Sequence, residues 1–208
     1  MATAPAPPAH TKASRGDWID AAIATLTDEG LDQVKVLPLA QRLGVSRSSF
    51  YWYFEDRQNL LDELLAIWAT NTTSIVDRTL REAPTITVAV LGVFECWADQ
   101  RLFNPGLDFA VRDWARRDTA VGAKVQRADQ LRVDAIAEMF GAHGYARDDC
   151  IVRARLLYQG QVGYYAVGTN EPTEVRLEYL PYYLRALTGL EPTSEELTAF
   201  EDFLEQIT

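Results

Sequence analysis

Apolar residues recur along this chain every three or four positions, and the strict alternation of a half-buried strand is nowhere sustained. Ser14 followed three residues later by Asp17 has the form of a capping box, and Ile19, Ala22, Ile23 and Leu26 then repeat at helical spacing until Gly30. A first helix is predicted there. Pro38 lies near the start of the next apolar set, Leu39, Ala40 and Leu43, where its missing N–H costs little, and Gly44 predicts the end of a two-turn helix. Ser46 is placed to cap a third helix, Arg47 to Phe54, with Val45 packing into the corner between the two.

From Arg57 the residues Leu60, Leu61, Leu64, Leu65, Ile67 and Trp68 predict one long helix reaching towards Arg81, before Pro84 breaks it. Thr85 to Val90 is β-branched, yet it runs into Leu91, Phe94, Glu95 and Trp97 with helical periodicity, so a helix is expected. Asn104 and Pro105 open another, with a Leu107, Val111 and Trp114 stripe; Thr119 to Phe140 and Arg147 to Val167 read as two long ones separated by Gly141 and Gly144. Pro172 starts a helix that Gly189 ends, and Thr193 with Glu196 repeats the capping-box pattern before a final helix to Ile207. The expected fold class is all-α, with a three-helix head (residues 14–58) on a helical bundle (59–208) and no internal repeat.

No uninterrupted apolar run approaches the roughly 18 residues of a membrane helix, so no membrane partner is expected. Residues 1–13 are rich in Ala and Pro without an apolar core, which reads as a disordered tail and not a signal peptide, and a cytoplasmic location follows as an expectation. Cys96 and Cys150 stand far apart with no Cys/His cluster, so two buried thiols are expected in preference to a redox pair, and neither a metal site nor a cofactor is. His10 falls in the tail and His143 in a Gly-rich turn, and there is no nucleophile elbow, phosphate loop or base beside a placed nucleophile. Catalytic residues are therefore expected to be absent.

A net charge of −10 argues at first against nucleic acid, since DNA affinity rests on Lys and Arg. Its distribution reverses that inference, because Lys35 to Phe54 holds three bases and no acid. The same stretch carries the chain's most specific pattern: Leu39 to Leu61, LAQRLGVSRSSFYWYFEDRQNLL, sets a Gly turn before a polar helix start and an aromatic cluster. In a helix-turn-helix the second helix enters the major groove by its N-terminal part, which places Arg47, Ser48 and, more weakly, Ser49 towards base edges. Tyr51 and Tyr53 offer hydroxyls at its end, and Arg57 opens the next helix, where a cation and free N–H groups suit phosphate. Phe50 and Phe54 are expected to pack the head instead, and Trp52 is left open between the two roles. Surface charge, for Arg47 and Arg57, and buried rings with only the hydroxyl outside, for the tyrosines, are the competing readings.

This segment resembles the DNA-binding signature of the tetracycline-repressor (TetR) family, in which Gly-Val-Ser is followed by Tyr-x-x-Phe and a basic residue; Gly44, Val45, Ser46, Tyr51, Phe54 and Arg57 fill those places. The resemblance covers about residues 15–65. The family often has a Ser/Thr cap and Arg at the start of the second helix, whereas this chain has Lys35, Val36, Leu37 and Pro38, so Lys35 is the candidate phosphate contact there. What the resemblance implies is a homodimer on palindromic double-stranded operator DNA, formed by the last long helices, and a small-molecule effector bound inside the bundle. A repressor is the expected form; an activator and a non-enzymatic interaction protein are the alternatives. Gly160, Gly163 and Gly168 would let another helix approach closely, and Tyr179, Tyr182 and Tyr183 either complete such an interface or pack the core. For the effector, Phe94, Trp97, Phe103, Trp114 and Tyr158 are the expected wall residues, with Glu95, Asp99 and Arg112 as weaker polar candidates, because small-molecule sites are mainly apolar and aromatic.

Overall fold

The computed structural model describes residues 13–169 and 171–207; the expected tail lies outside them except for Ala13. Nine α-helices are formed there: α1 Arg15–Asp28, α2 Val36–Leu43, α3 Arg57–Thr79, α4 Ile86–Ala98, α5 Pro105–Ala115, α6 Thr119–Ala142, α7 Arg147–Ala166, α8 Thr173–Thr188 and α9 Ser194–Ile207. Their starts follow local chemistry. The Ser14 N–H donates to the Asp17 carboxylate at 2.7 Å while the Asp17 N–H donates to the Ser14 hydroxyl at 3.2 Å, and Thr193 and Glu196 repeat that exchange at 2.8 and 3.2 Å. Asn104 accepts from the Leu107 N–H at 2.9 Å with Pro105 as the first helical residue of α5. Thr85 caps α4 through the Val88 N–H, and the β-branched stretch that follows is helical.

Two compact units divide the chain, Met1–Ile67 and Trp68–Thr208, and the division falls inside α3. In the first, α1, α2 and the start of α3 bury Trp18, Leu26, Val34, Leu39, Phe50, Leu60 and Leu64 almost completely. Two short 3-10 turns join them, Leu31–Gln33, which the sequence did not announce, and Arg47–Trp52. In the second, α4 is buried along most of its length, through Ile86, Val90, Val93 and Trp97, and α6, α7, α8 and α9 contribute Ile136, Phe140, Leu157, Leu184 and Phe200 to one continuous core around it. Each such side chain is worth about 1.5–3 kcal/mol of burial, which makes this core the main source of stability in the unit.

The segment expected to form a helix from Arg47 to Phe54 is instead a 3-10 turn over Arg47–Trp52. Ser46 does not cap it. The Ser46 hydroxyl pairs with that of Ser48 at 2.9 Å, and its carbonyl accepts both the Ser49 N–H at 3.1 Å and the Ser49 hydroxyl at 2.8 Å. Bonding three residues back tightens the backbone into the narrower helix, and three serines in four positions supply the competing hydroxyls.

Candidate functional site

Gly44 ends α2 in the left-handed region, at φ 66°, where glycine alone pays no Cβ penalty. Its N–H reaches the Gln41 carbonyl at 3.1 Å and the Val45 N–H reaches that of Ala40 at 3.0 Å, so the turn satisfies two of the carbonyls at the end of α2 and aims the next segment. Phe50 then locks that segment from below: fully buried, it meets Trp18 edge-on at 5.2 Å and stacks on Phe54 at 5.1 Å. With Phe50 pointing inward, Arg47, Ser48, Tyr51 and Trp52 are left exposed on the outside of the turn. Arg47 donates to the Tyr51 hydroxyl at 3.1 Å and lies over its ring at 5.9 Å, which orders both side chains on one surface.

The other DNA candidates divide. Lys35 is exposed at the N-cap of α2, and Tyr53 is half-buried. Ser49 is buried with its hydroxyl spent on Ser46. Arg57 donates through Nε to the Val34 carbonyl at 2.5 Å and through Nη2 to that of Leu31 at 2.9 Å, tying the first 3-10 turn to the start of α3. Arg42, the third base of the acid-free stretch, pairs with Glu29 at 3.3 Å.

In the second unit the expected aromatic wall is mostly filled core: Trp97, Phe103 and Trp114 are buried. Phe94 does border a cavity of about 490 Å³ between α4, α7, α8 and α9, with Leu157, Gln161, Leu177, Leu180 and Phe200. Tyr158 belongs to a network of charges. Asp108, 1% exposed, accepts from the Trp68 indole N–H at 2.8 Å, from Arg112 Nε at 2.7 Å and from Arg132 at 3.3 Å. Arg112 forks onto Asp129 at 2.9 and 2.7 Å, and Arg132 and Arg112 both donate to the Tyr158 hydroxyl, at 2.7 and 2.9 Å; that hydroxyl donates to Asp129 at 2.6 Å. Burial works against the Asp129 charge, but the hydrogen bonds from Arg112 and Tyr158 outweigh it and hold the carboxyl below its ordinary value. Burial opposes the Arg112 charge too, and its bond to Asp129 and the nearby Asp108 leave the guanidinium above its ordinary value. The Tyr158 hydroxyl is pushed up to about 12, chiefly by burial.

The weaker polar candidates are likewise engaged, Glu95 with Arg78 and Asp99 with Arg101. Burial raises Glu95 despite Arg78 and pushes the Cys96 thiol up to about 11, the opposite of a reactive cysteine. Among the described residues no group of His, Cys, Asp and Glu could hold a metal ion, and no helix is long and apolar enough to cross a membrane.

The sequence model of a family described as bacterial regulatory proteins, tetR family, matches residues 19–64, the stretch from α1 through the Arg47 turn into α3. The match is confined to the head. Over 69 residues, 33% of this chain, it is 39% identical to the class A tetracycline repressor protein from transposon 1721 of Escherichia coli, and the match spans 32% of that repressor's own length. Beyond the head the likeness is one of fold. Mycobacterium smegmatis AmtR superposes with a TM-score of 0.65 over 98% of this chain and 99% of its own, at 19% identity. The fatty acid degradation regulator FadR from Bacillus halodurans superposes with a TM-score of 0.58 over 89% and 97%, at 15% identity.

Sequence reasoning located the turn of the head and two members of the charge network, Arg112 and Tyr158, but missed Trp68, Asp108, Asp129 and Arg132. A signal existed, since Asp108 and Arg112 stand four apart and Asp129 and Arg132 three apart, each pair on one helix face.

Proposed function

We propose that the chain is a ligand-responsive transcriptional regulator of TetR type, acting as a repressor that binds palindromic operator DNA as a homodimer. The observation that carries the reading is the exposed Arg47, Ser48 and Tyr51 surface, held by buried Phe50 on a stretch of an acidic chain, Lys35 to Phe54, that has three bases and no acids. Arg47 is the base reader, with Ser48 beside it; Tyr51, Tyr53 and Lys35 serve phosphate, as hydroxyl and ammonium groups do at the edges of a recognition element. Arg57 serves the head's own backbone, and Ser49 the turn.

The partner copy is assigned to α7 and α8. Val152 and Leu156 on α7, Val167 just past its end, and Tyr179, Tyr182 and Tyr183 on α8 are exposed apolar or aromatic residues, and a Cβ added at Gly160 or Gly163 would meet nothing within 4 Å. A second copy seated there removes this surface from water and sets two heads on successive major grooves, about 34 Å apart. The effector site is the cavity beside Phe94, and α3, which starts in the first unit and ends in the second, carries the change in spacing.

Selection of random DNA by the purified protein, followed by affinity measurements on the enriched sequence, tests the reading. A palindrome bound by two copies is expected, with Arg47→Ala costing about 1–3 kcal/mol and relaxing preference at one position of each half-site. No enrichment, or enrichment that Arg47→Ala leaves unchanged, overturns it.

A further inference from the structure

The charge network divides into an inner and an outer part. Asp108 and Arg132 are 1% and 0% exposed, so neither can exchange its partners for water, whereas Arg112 and Asp129 keep 18% and 31% of their side-chain surface. Above that outer pair lies an open groove between α5, α6 and α7, with Tyr158 at its floor, Gln126, Gln159 and Arg155 on its walls and Val133 and Val162 beside them. Arg155 has no ion-pair partner among the described residues. Among the residues that line the groove, then, two guanidinia, those of Arg112 and Arg155, face one carboxylate, that of Asp129. One negative charge is lacking locally in a chain whose net charge is −10, which marks the place out.

We propose that this groove binds a small monocarboxylate, whose anion takes the outer fork of Arg112 from Asp129 and reaches Arg155, with a short apolar body against Val133 and Val162. The exchange is chemically even at Arg112, because one carboxylate replaces another on a planar fork that suits either. Asp129 turns to water, which its exposure permits and which the burial of Asp108 forbids. The Tyr158 hydroxyl and the carboxamides of Gln126 and Gln159 supply neutral donors for the ligand oxygens. The change does not stop at the surface, since Arg112 holds Asp129 and Asp108 at once and Asp108 holds the Trp68 indole N–H at 2.8 Å. Occupancy therefore alters the surroundings of a tryptophan on α3. The site is distinct from the cavity beside Phe94, and its binding test stands whether or not the chain regulates transcription.

Titration calorimetry of the full chain with sodium benzoate and with isovalerate, at low ionic strength, provides that test. Saturable binding of one acid per chain is expected, with benzamide and isovaleramide silent. Arg155→Gln, a change of an exposed side chain, weakens binding about tenfold by removing a charge-assisted contact. Asp129→Asn has the opposite sign and tightens it, because the internal competitor is gone. Saturation shifts the tryptophan emission, and the shift is lost in Trp68→Phe. Absence of saturable heat with both acids, or binding that Arg155→Gln leaves unchanged, overturns the site. An emission shift that survives in Trp68→Phe overturns the path to α3. A carboxylate that binds without altering operator affinity leaves the site standing and separates it from the regulatory reading.

Discussion

Replacing Asp108 by alanine strips the inner network of its one fully buried carboxylate and takes from the fully buried Arg132 its buried counter-charge, while the Tyr158 hydroxyl at 2.7 Å and the more distant Asp129 at 3.8 Å remain beside it. Breaking a buried pair by deleting one partner costs about 3–5 kcal/mol, because the remaining charge cannot be hydrated where it stands. The Trp68 indole N–H loses its acceptor in the same step, which keeps the loss at the upper end of that range. For a chain of this size the change lowers the melting temperature by roughly 6–20 °C. Urea unfolding followed by far-ultraviolet circular dichroism measures the loss directly, and Asp113→Ala is the control: that carboxylate pairs with Arg117 at 3.8 Å with both side chains more than half exposed, and its removal costs under about 1 kcal/mol. Substituting both partners, Asp108→Leu with Arg132→Met, restores most of the stability, since an apolar pair needs no compensating charge. A loss for Asp108→Ala no larger than that for Asp113→Ala would refute the argument that the inner pair is held by burial.

Two further predictions concern the head and the pH response. Gly44→Ala forces a Cβ into the left-handed turn at φ 66° and destabilises the head by about 1–2 kcal/mol, seen as a lower thermal midpoint and a matching loss of DNA affinity; an unchanged midpoint would show that the turn relaxes freely. Asp129 has its folded-state value depressed below the unfolded one, so its contribution to stability is complete above the ordinary carboxylate range and disappears as pH falls through the depressed value. Asp129→Asn is accordingly less stable than the parent near neutral pH, and the gap closes on acidification; equal urea midpoints for the two proteins near neutrality would contradict the assignment.

Helix ends were legible because they are decided within four residues. The exchanges at Ser14 and Asp17, at Asn104, and at Thr193 and Glu196 form as their spacing predicts, and Gly44 stops α2 for a reason contained in its own φ. Ser46 shows the limit of that locality, for its hydroxyl had a choice between a backbone N–H and a neighbouring serine, and the choice converted the next helix into a 3-10 turn. The cavity wall was less legible still. Periodicity says that Trp97, Phe103 and Trp114 point inward, but whether the space they face is empty or filled is settled by side chains on other helices, and it is filled. The charge network lies furthest from local reading. Trp68, Asp108 and Arg132 come from α3, α5 and α6 and are separated by 40 and 24 positions along the chain, so the sequence displays the penalty of burying each charge and conceals its compensation. The same argument explains why the groove above that network escapes a reading by residue type: Arg112 looks like a surface cation beside Asp108 four residues before it, and becomes an exchangeable clamp only when Asp129 and Tyr158 are brought to its other side.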